Sequence, residues 1–171
     1  MENIRENARK KALQKLDEMG IPYEIEEHPA VYTIEEMESF GIDARGDVVK
    51  NLFLCDEKKK RYFLVMILKD KRANLKSIRA QLGTSALSFA SEDHLLRYMD
   101  LTKGAVSPLG ILNDTEQVVE AVFDKDLKDR NRLGVHPNDN TATLWISFEK
   151  LKEVIERCGN AVHFIEVLKA E

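Results

Sequence analysis

Two apolar runs separated by five polar residues constrain this chain more than any other feature. The first, Asp47-Val48-Val49-Lys50-Asn51-Leu52-Phe53-Leu54-Cys55, is rich in branched and aromatic side chains and reads as a β-strand. The second, Arg61-Tyr62-Phe63-Leu64-Val65-Met66-Ile67-Leu68, reads the same way. The connector Asp56-Glu57-Lys58-Lys59-Lys60 is short enough for a hairpin loop. Neither run alternates cleanly between apolar and polar, so both strands are expected to be buried on most of both faces. That puts Lys50 inside a hydrophobic hairpin. An ammonium there is unfavourable unless a partner or ligand compensates, and the alternative is a side chain snorkelling off a strand end. Adjacent strand residues point to opposite faces, so Lys50 and Asn51 are not expected to serve one pocket through side chains alone.

The flanking sequence supplies helices. Ile4, Ala8, Ala12, Leu16 and Met19 share one face of a helix over residues 3–19, closed by Gly20 and Pro22. Tyr23 to Glu27 alternates as a half-exposed strand and His28-Pro29 ends it. Thr33-Ile34-Glu35-Glu36 is a capping box, opening a short helix that stops at Gly41, and 42–46 reads as a polar loop. Asn74, Ser91 and Ser147 are N-caps of three further helices, the first and last stopped by Gly83 and Gly159. Leu87 to Ala90, Val118 to Phe123, Thr141 to Ile146 and Val162 to Val167 read as strands. Gly104 to Gly110 reads as a loop or broken strand, Asp124 to Arg132 as a charged turn region, and Leu133 to Asn140 as a turn. Without repeats, linkers or a regular βαβα alternation, residues 1–171 are expected to form one α+β domain. Its sheet is mixed, mainly antiparallel and curved, with flanking helices.

Composition narrows the function classes. A formal net charge of −4 argues against a general nucleic-acid coat protein, though not against a local basic patch. No apolar run approaches a transmembrane length and the N-terminus lacks the apolar centre of a signal peptide, so a cytoplasmic location is expected. Cys55 and Cys158 form no CxxC, and the four histidines stand at no metal-ligand spacing from one another. There is no GxGxxG, P-loop or GxSxG. Three stretches carry candidate chemistry: Lys50-Asn51; Val106-Ser107-Pro108-Leu109-Gly110, where a glycine admits a close approach; and Gly134-Val135-His136-Pro137-Asn138, with a histidine on a rigid turn. Each has a structural reading beside it, as a strand end, a Ser-Pro turn and a His-Pro turn. The run Lys58-Lys59-Lys60-Arg61 reads as a solvated hairpin tip.

Together these stretches resemble the YbaK/ProX family of aminoacyl-tRNA deacylases, relatives of the editing domain inserted in bacterial prolyl-tRNA synthetases. The resemblance runs from Gly20-Ile21-Pro22-Tyr23 and His28-Pro29-Ala30-Val31-Tyr32-Thr33 through Val49 to Leu54 and Gly104 to Gly110, ending at His136 to Thr143. The forms around Lys50-Asn51 and His136 to Thr143 look like the branch that clears alanine from proline tRNA. The resemblance implies Lys50 as the catalytic lysine, with Asn51, Gly110, His136 and Thr33 as substrate-binding residues. It implies aminoacylated tRNA as partner, with a prolyl-tRNA synthetase beside it, and neither DNA nor a membrane. An ester is already activated, so it implies no cofactor or metal. Open alternatives are a deacylase for Cys-tRNA(Pro) or another small aminoacyl-tRNA, and a non-catalytic module that senses an amino acid or charged tRNA.

Overall fold

The computed structural model describes residues 4–167. Its helices are α1 (Ile4–Met19), α2 (Ile34–Ser39), α3 (Leu75–Leu82), α4 (Glu92–Met99) and α5 (Phe148–Cys158). Its strands are β1 (Glu24–Glu27), β2 (Asp47–Asp56), β3 (Tyr62–Leu68), β4 (Leu87–Phe89), β5 (Val119–Asp124), β6 (Leu133–Val135), β7 (Ala142–Ile146) and β8 (Val162–Ile165). They form one sheet in the order β1-β7-β6-β2-β3-β5-β8, with β4 added on β2. The sheet is mixed. β2 pairs antiparallel with β3 and β4, as β7 does with β1 and β6, whereas β2–β6, β3–β5 and β5–β8 are parallel. The antiparallel majority is therefore narrow.

From Phe53 to Cys55 and from Tyr62 to Ile67 the central hairpin is buried on both faces, which explains its apolar sequence there, whereas Lys50 and Asn51 are half-buried. Tyr62, Leu64 and Met66 face a core closed by Leu16 of α1, Leu95 and Met99 of α4, and Leu151, Val154 and Ile155 of α5. Phe63, Val65 and Ile67 face the opposite way, onto Ile78 of α3. At the other end of that second face, Met37 of α2 packs with Val31, Ile42 and Trp145. Helices thus cover the second face at its two ends.

The expected caps form. Asn74 Oδ1 accepts from the amides of Lys76 and Ser77, Ser91 Oγ from that of His94, and Ser147 Oγ from that of Lys150. Thr33 Oγ1 accepts from the Glu36 amide at 3.1 Å, but Glu36 receives the Thr33 hydroxyl at 3.3 Å instead of reaching the Thr33 main-chain amide. Two segments differ from expectation. Residues 42–45 form a 3-10 turn that buries Ile42, not a polar loop. Leu133–Val135 is a strand, not a turn; its central glycine lies opposite Trp145, where a Cβ would stand 2.7 Å from the indole. The Gly104 to Gly110 stretch folds as two 3-10 turns, Lys103–Ala105 and Pro108–Asn113. Cys55 is buried, Cys158 partly so, and both are free thiols.

Candidate active site

The pairing of β2 creates the site. On the edge away from β3, β6 pairs only with Asp47 and Val48, and β4 only with Leu54 to Asp56. Among the described residues no strand pairs with the intervening residues on that edge. The Val48 carbonyl bonds to Lys69 on the β3 side, whereas the Phe53 carbonyl accepts from Ala90 on the other. By alternation, the main-chain amide and carbonyl of Asn51 face the gap. A cavity of about 300 Å³ opens there, bordered by β2, β6, β7, α2 and the turn at Lys103. Its size is at the low end for small-molecule sites.

Lys50, Asn51, His136 and Thr33 all border this cavity. Lys50 and Asn51 lie on opposite faces of β2, as strand alternation requires, and still share one cavity because the sheet is open beside them. The Lys50 ammonium donates to the main-chain carbonyl of Lys71. Burial, then the nearby Arg72, hold its pKa below the ordinary lysine value, against the pull of Asp70. Asn51 Oδ1 is buried without a hydrogen-bond partner among the described residues, a rare state that a ligand donor would relieve.

His136 is fixed through its own backbone. The buried Ser107 hydroxyl donates to the His136 carbonyl and accepts from the Leu109 amide at 3.1 Å. Downstream, buried Asp139 is clamped by Arg9 of α1 at 2.9 Å and accepts from the Thr141 amide. Burial, with His28 nearby, lowers the His136 pKa, opposed by a hydrogen bond to the Ala142 carbonyl and by Asp139. The neutral ring's 3.5 Å contact with that carbonyl favours a proton on Nδ1 and leaves Nε2 as the acceptor.

Gly110 is not brought to the cavity. It is buried on the Pro108–Asn113 turn, where a Cβ would stand 2.5 Å from Leu101 and 2.7 Å from Met99. The glycine is required for packing under α4. The Ser-Pro stretch reaches the site instead through Val106, which borders the cavity, and through Ser107, which holds the His136 carbonyl.

Several bordering residues were not singled out from sequence. His28 Nδ1 lies 2.8 Å from the Pro29 carbonyl, which can only accept, so Nδ1 carries a proton; in the neutral ring Nε2 then accepts from the Thr143 hydroxyl at 2.8 Å. His-Pro was legible as a turn, but its β7 partner was not. Lys69 and Lys103 add positive charge, and Tyr32 and Gly104 border the mouth. Lys69 is occupied by Glu38, Asp70 and Asp43. Among the described residues the lining holds three lysines and two histidines but no carboxylate, serine or cysteine. Nor do three His, Cys, Asp or Glu side chains converge in metal-holding geometry among those residues. Such a lining suits an anionic ligand and an attack by water.

The profile of the aminoacyl-tRNA editing domain matches residues 28–154. The chain belongs to the aminoacyl-tRNA editing domain family. It is 48% identical over 161 residues to the prolyl-tRNA editing protein ProX of Acetoanaerobium sticklandii, covering 94% of this chain and 98% of that protein. It is 35% identical over 151 residues to prolyl-tRNA synthetase associated domain-containing protein 1 of Mus musculus, covering 86% and 89%. A solved structure of a candidate trans-editing enzyme for prolyl tRNA synthetase superposes with a TM-score of 0.73 at 19% identity, covering 99% of this chain and all of that one. That likeness shows the fold. The sheet and helices described above are those of this editing fold.

Proposed function

We propose that this chain is a freestanding aminoacyl-tRNA deacylase that hydrolyses the ester of alanine misattached to proline tRNA. The observation that carries the reading is the convergence of Lys50, Asn51, His136 and Thr33, from three separate stretches of an editing-family chain, around one cavity. ProX, its 48% identical relative, is by name a prolyl-tRNA editing protein. A prolyl-tRNA synthetase handling the same tRNA is the partner this reading implies.

The ester needs a placed water and a stabilised oxyanion, not a covalent nucleophile. Lys50 supplies positive charge at the gap in the sheet, to the developing oxyanion or to the neighbouring phosphate. Its hydrogen bond to the Lys71 carbonyl holds it in place before substrate arrives. The inward-facing amide of Asn51 is a second donor, and its buried Oδ1 accepts from the substrate's α-ammonium. Neutral His136 offers an acceptor nitrogen that orients the water or the substrate, and the vicinal ribose hydroxyl takes part in the proton transfer. Thr33 closes the pocket edge from the start of α2. In this reading selectivity arises by exclusion: of the residues that border the cavity, Val31, Met37, Ile42 and Val106 are the apolar ones assigned to the aminoacyl side chain, and the reading requires that they admit a methyl group and reject the pyrrolidine ring. Recognition of one methylene group alone gives only ~10–200-fold discrimination, so steric rejection of proline carries much of the rest.

The test is hydrolysis of Ala-tRNA(Pro), Cys-tRNA(Pro) and Pro-tRNA(Pro) by the purified protein. Rapid loss of the alanyl ester with proline spared is expected. Preferred hydrolysis of the cysteinyl ester would reassign the substrate, and a folded but inert protein would point to a binding module.

A further inference from the structure

A row of polar side chains crosses the cavity face of the sheet. Val48 pairs with Gly134 across β2 and β6, and Gly134 with Trp145 across β6 and β7. Strand alternation then puts Lys50, His136 and Thr143 on the face that carries Val48, Gly134 and Trp145. The β6–β7 register runs to Val135 opposite Leu144, and the next residues along it are His136 and Thr143. On β1, Glu26 pairs with Thr143, and His28 follows two residues later. Lys50, His136, Thr143 and His28 all border the cavity.

The Thr143 hydroxyl is held in one orientation. A Cβ on Gly134 would stand 3.1 Å from the Thr143 methyl carbon, so the methyl lies over bare main chain there. The hydroxyl turns the other way, with Oγ1 2.8 Å from His28 Nε2. His28 Nδ1 keeps its proton for the Pro29 carbonyl, so in the neutral ring Nε2 takes the hydroxyl hydrogen. Glu26, another acceptor beside Thr143, is occupied by Trp145 Nε1 at 3.2 Å and by Arg45. In the sheet β1 lies on one side of β7 and β6 on the other, so the hydrogen points away from His136. Only lone pairs of Oγ1 are left for a donor in the cavity. His136 Nε2 has the same polarity, because Nδ1 carries its proton toward the Ala142 carbonyl.

We propose that Thr143 Oγ1 and His136 Nε2 together seat the water that attacks the ester, and that His28 is a positioning residue that fixes the polarity of the Thr143 hydroxyl. The inference rests on the deacylase reading and adds the second acceptor for its water. Cross-strand neighbours on one face have Cβ atoms about 4.5–5.5 Å apart, a span that one water bridges. A water donating one hydrogen to each acceptor turns its lone pairs to the ester carbon, which is the near-attack arrangement. The water oxygen bonds to that carbon, and the bond from the carbon to the ribose oxygen breaks. One water proton ends on the departing ribose oxygen, and the other is released to solvent as alanine leaves as a carboxylate. Thr143 keeps its own proton throughout.

The experiment is steady-state hydrolysis of Ala-tRNA(Pro) by the wild type, Thr143→Val, Thr143→Ser, His28→Phe and the double variant Thr143→Val/His28→Phe, with thermal melts to verify folding. Valine keeps the shape and removes the oxygen, so kcat should fall about ten- to a hundredfold with KM within about twofold. Serine restores the oxygen and should recover most of that loss. His28→Phe frees the Thr143 hydrogen to turn into the cavity, so kcat should fall, with no further fall when it is added to Thr143→Val. Thr143→Val should lose the same factor on lactyl-tRNA(Pro), whose ester lacks the α-ammonium. Wild-type kcat in a folded Thr143→Val overturns the water seat and leaves the deacylase reading standing. A loss that vanishes on the lactyl ester overturns it as well, by assigning the oxygen to the ammonium. Independent, multiplying losses at 143 and 28 overturn the positioning role of His28. A wild type inert on every charged tRNA overturns the deacylase reading, and the water seat with it.

Discussion

Lys50 shows how a single residue separates the demands of folding from those of function. Burial and Arg72 disfavour its charged form, so the ammonium is a burden on the folded state at neutral pH. Lys50→Met is expected to melt at or above the wild-type temperature while deacylation falls by at least about a hundredfold, the scale of losing one oxyanion donor. A melting curve beside a single-turnover assay checks both halves. His136 carries a pH signature. Its folded pKa lies below the ordinary 6.5, so the unfolded chain binds more protons between those values and stability rises with pH across that window. Stability is complete above about pH 6.5 and is lost as pH falls below it. His136→Gln should flatten that part of a melting temperature–pH profile; an unaltered profile would remove His136 as its source. Lys50 and His136 were legible as candidates because each breaks a local pattern, a charge in an apolar run and a histidine on a rigid turn. Gly110 was misplaced for the same local reason. A glycine in a Ser-Pro turn reads as room for a ligand, whereas the space is filled by Met99 and Leu101, which are remote in the strand-and-helix pattern. Gly110→Ala should therefore lower stability by about 1–3 kcal/mol through overpacking, with no change in which esters are hydrolysed, as denaturant melts and a charged-tRNA panel would show.

At the scale of elements, helix ends and the central hairpin were readable because capping residues, stop glycines and apolar runs act within a few positions. Strand β6 was not, since three residues with a glycine in the middle carry no pattern. Its identity depends on Trp145 of β7 lying across Gly134. The gap beside Lys50 was equally hidden, because it is produced by where β6 and β4 stop along β2, a non-local outcome. His28 and Thr143 meet only because β7 runs beside β1. One tether between elements bears directly on the site. The Lys71 ammonium reaches Asp124 at 2.6 Å, Asp126 at 2.5 Å and the Val167 carbonyl at 2.9 Å, while its own carbonyl holds Lys50. Asp124 is only 1% exposed. Lys71→Met would leave that carboxylate buried without its cation and should cost about 3 kcal/mol in urea denaturation. It should also slow turnover by loosening Lys50, and Lys71→Arg should restore part of both. Unchanged turnover in a destabilised Lys71→Met would restrict the tether to a structural role.

Across the whole molecule, an acidic chain presents a local basic mouth. The formal net charge is −4, yet the cavity is bordered by Lys50, Lys69 and Lys103 without a carboxylate in the lining among the described residues. Net charge is a poor guide here because the lining itself is lysine-bearing. Glu38, Asp43 and Asp70 beside it pair with Lys69, which leaves Lys50 and Lys103 as its cations without a salt bridge among the described residues. Affinity for charged tRNA should weaken with added salt, and KM should rise as monovalent salt increases while kcat changes little. The central claim is that this cavity, with Lys50 at its edge, removes alanine from proline tRNA and spares proline. The measurement that tests it most directly is the hydrolysis rate of Ala-tRNA(Pro) against Pro-tRNA(Pro), with Lys50→Ala in parallel. The account predicts rapid loss of the alanyl ester alone, abolished by Lys50→Ala; equal hydrolysis of both esters, or full activity in Lys50→Ala, would contradict it.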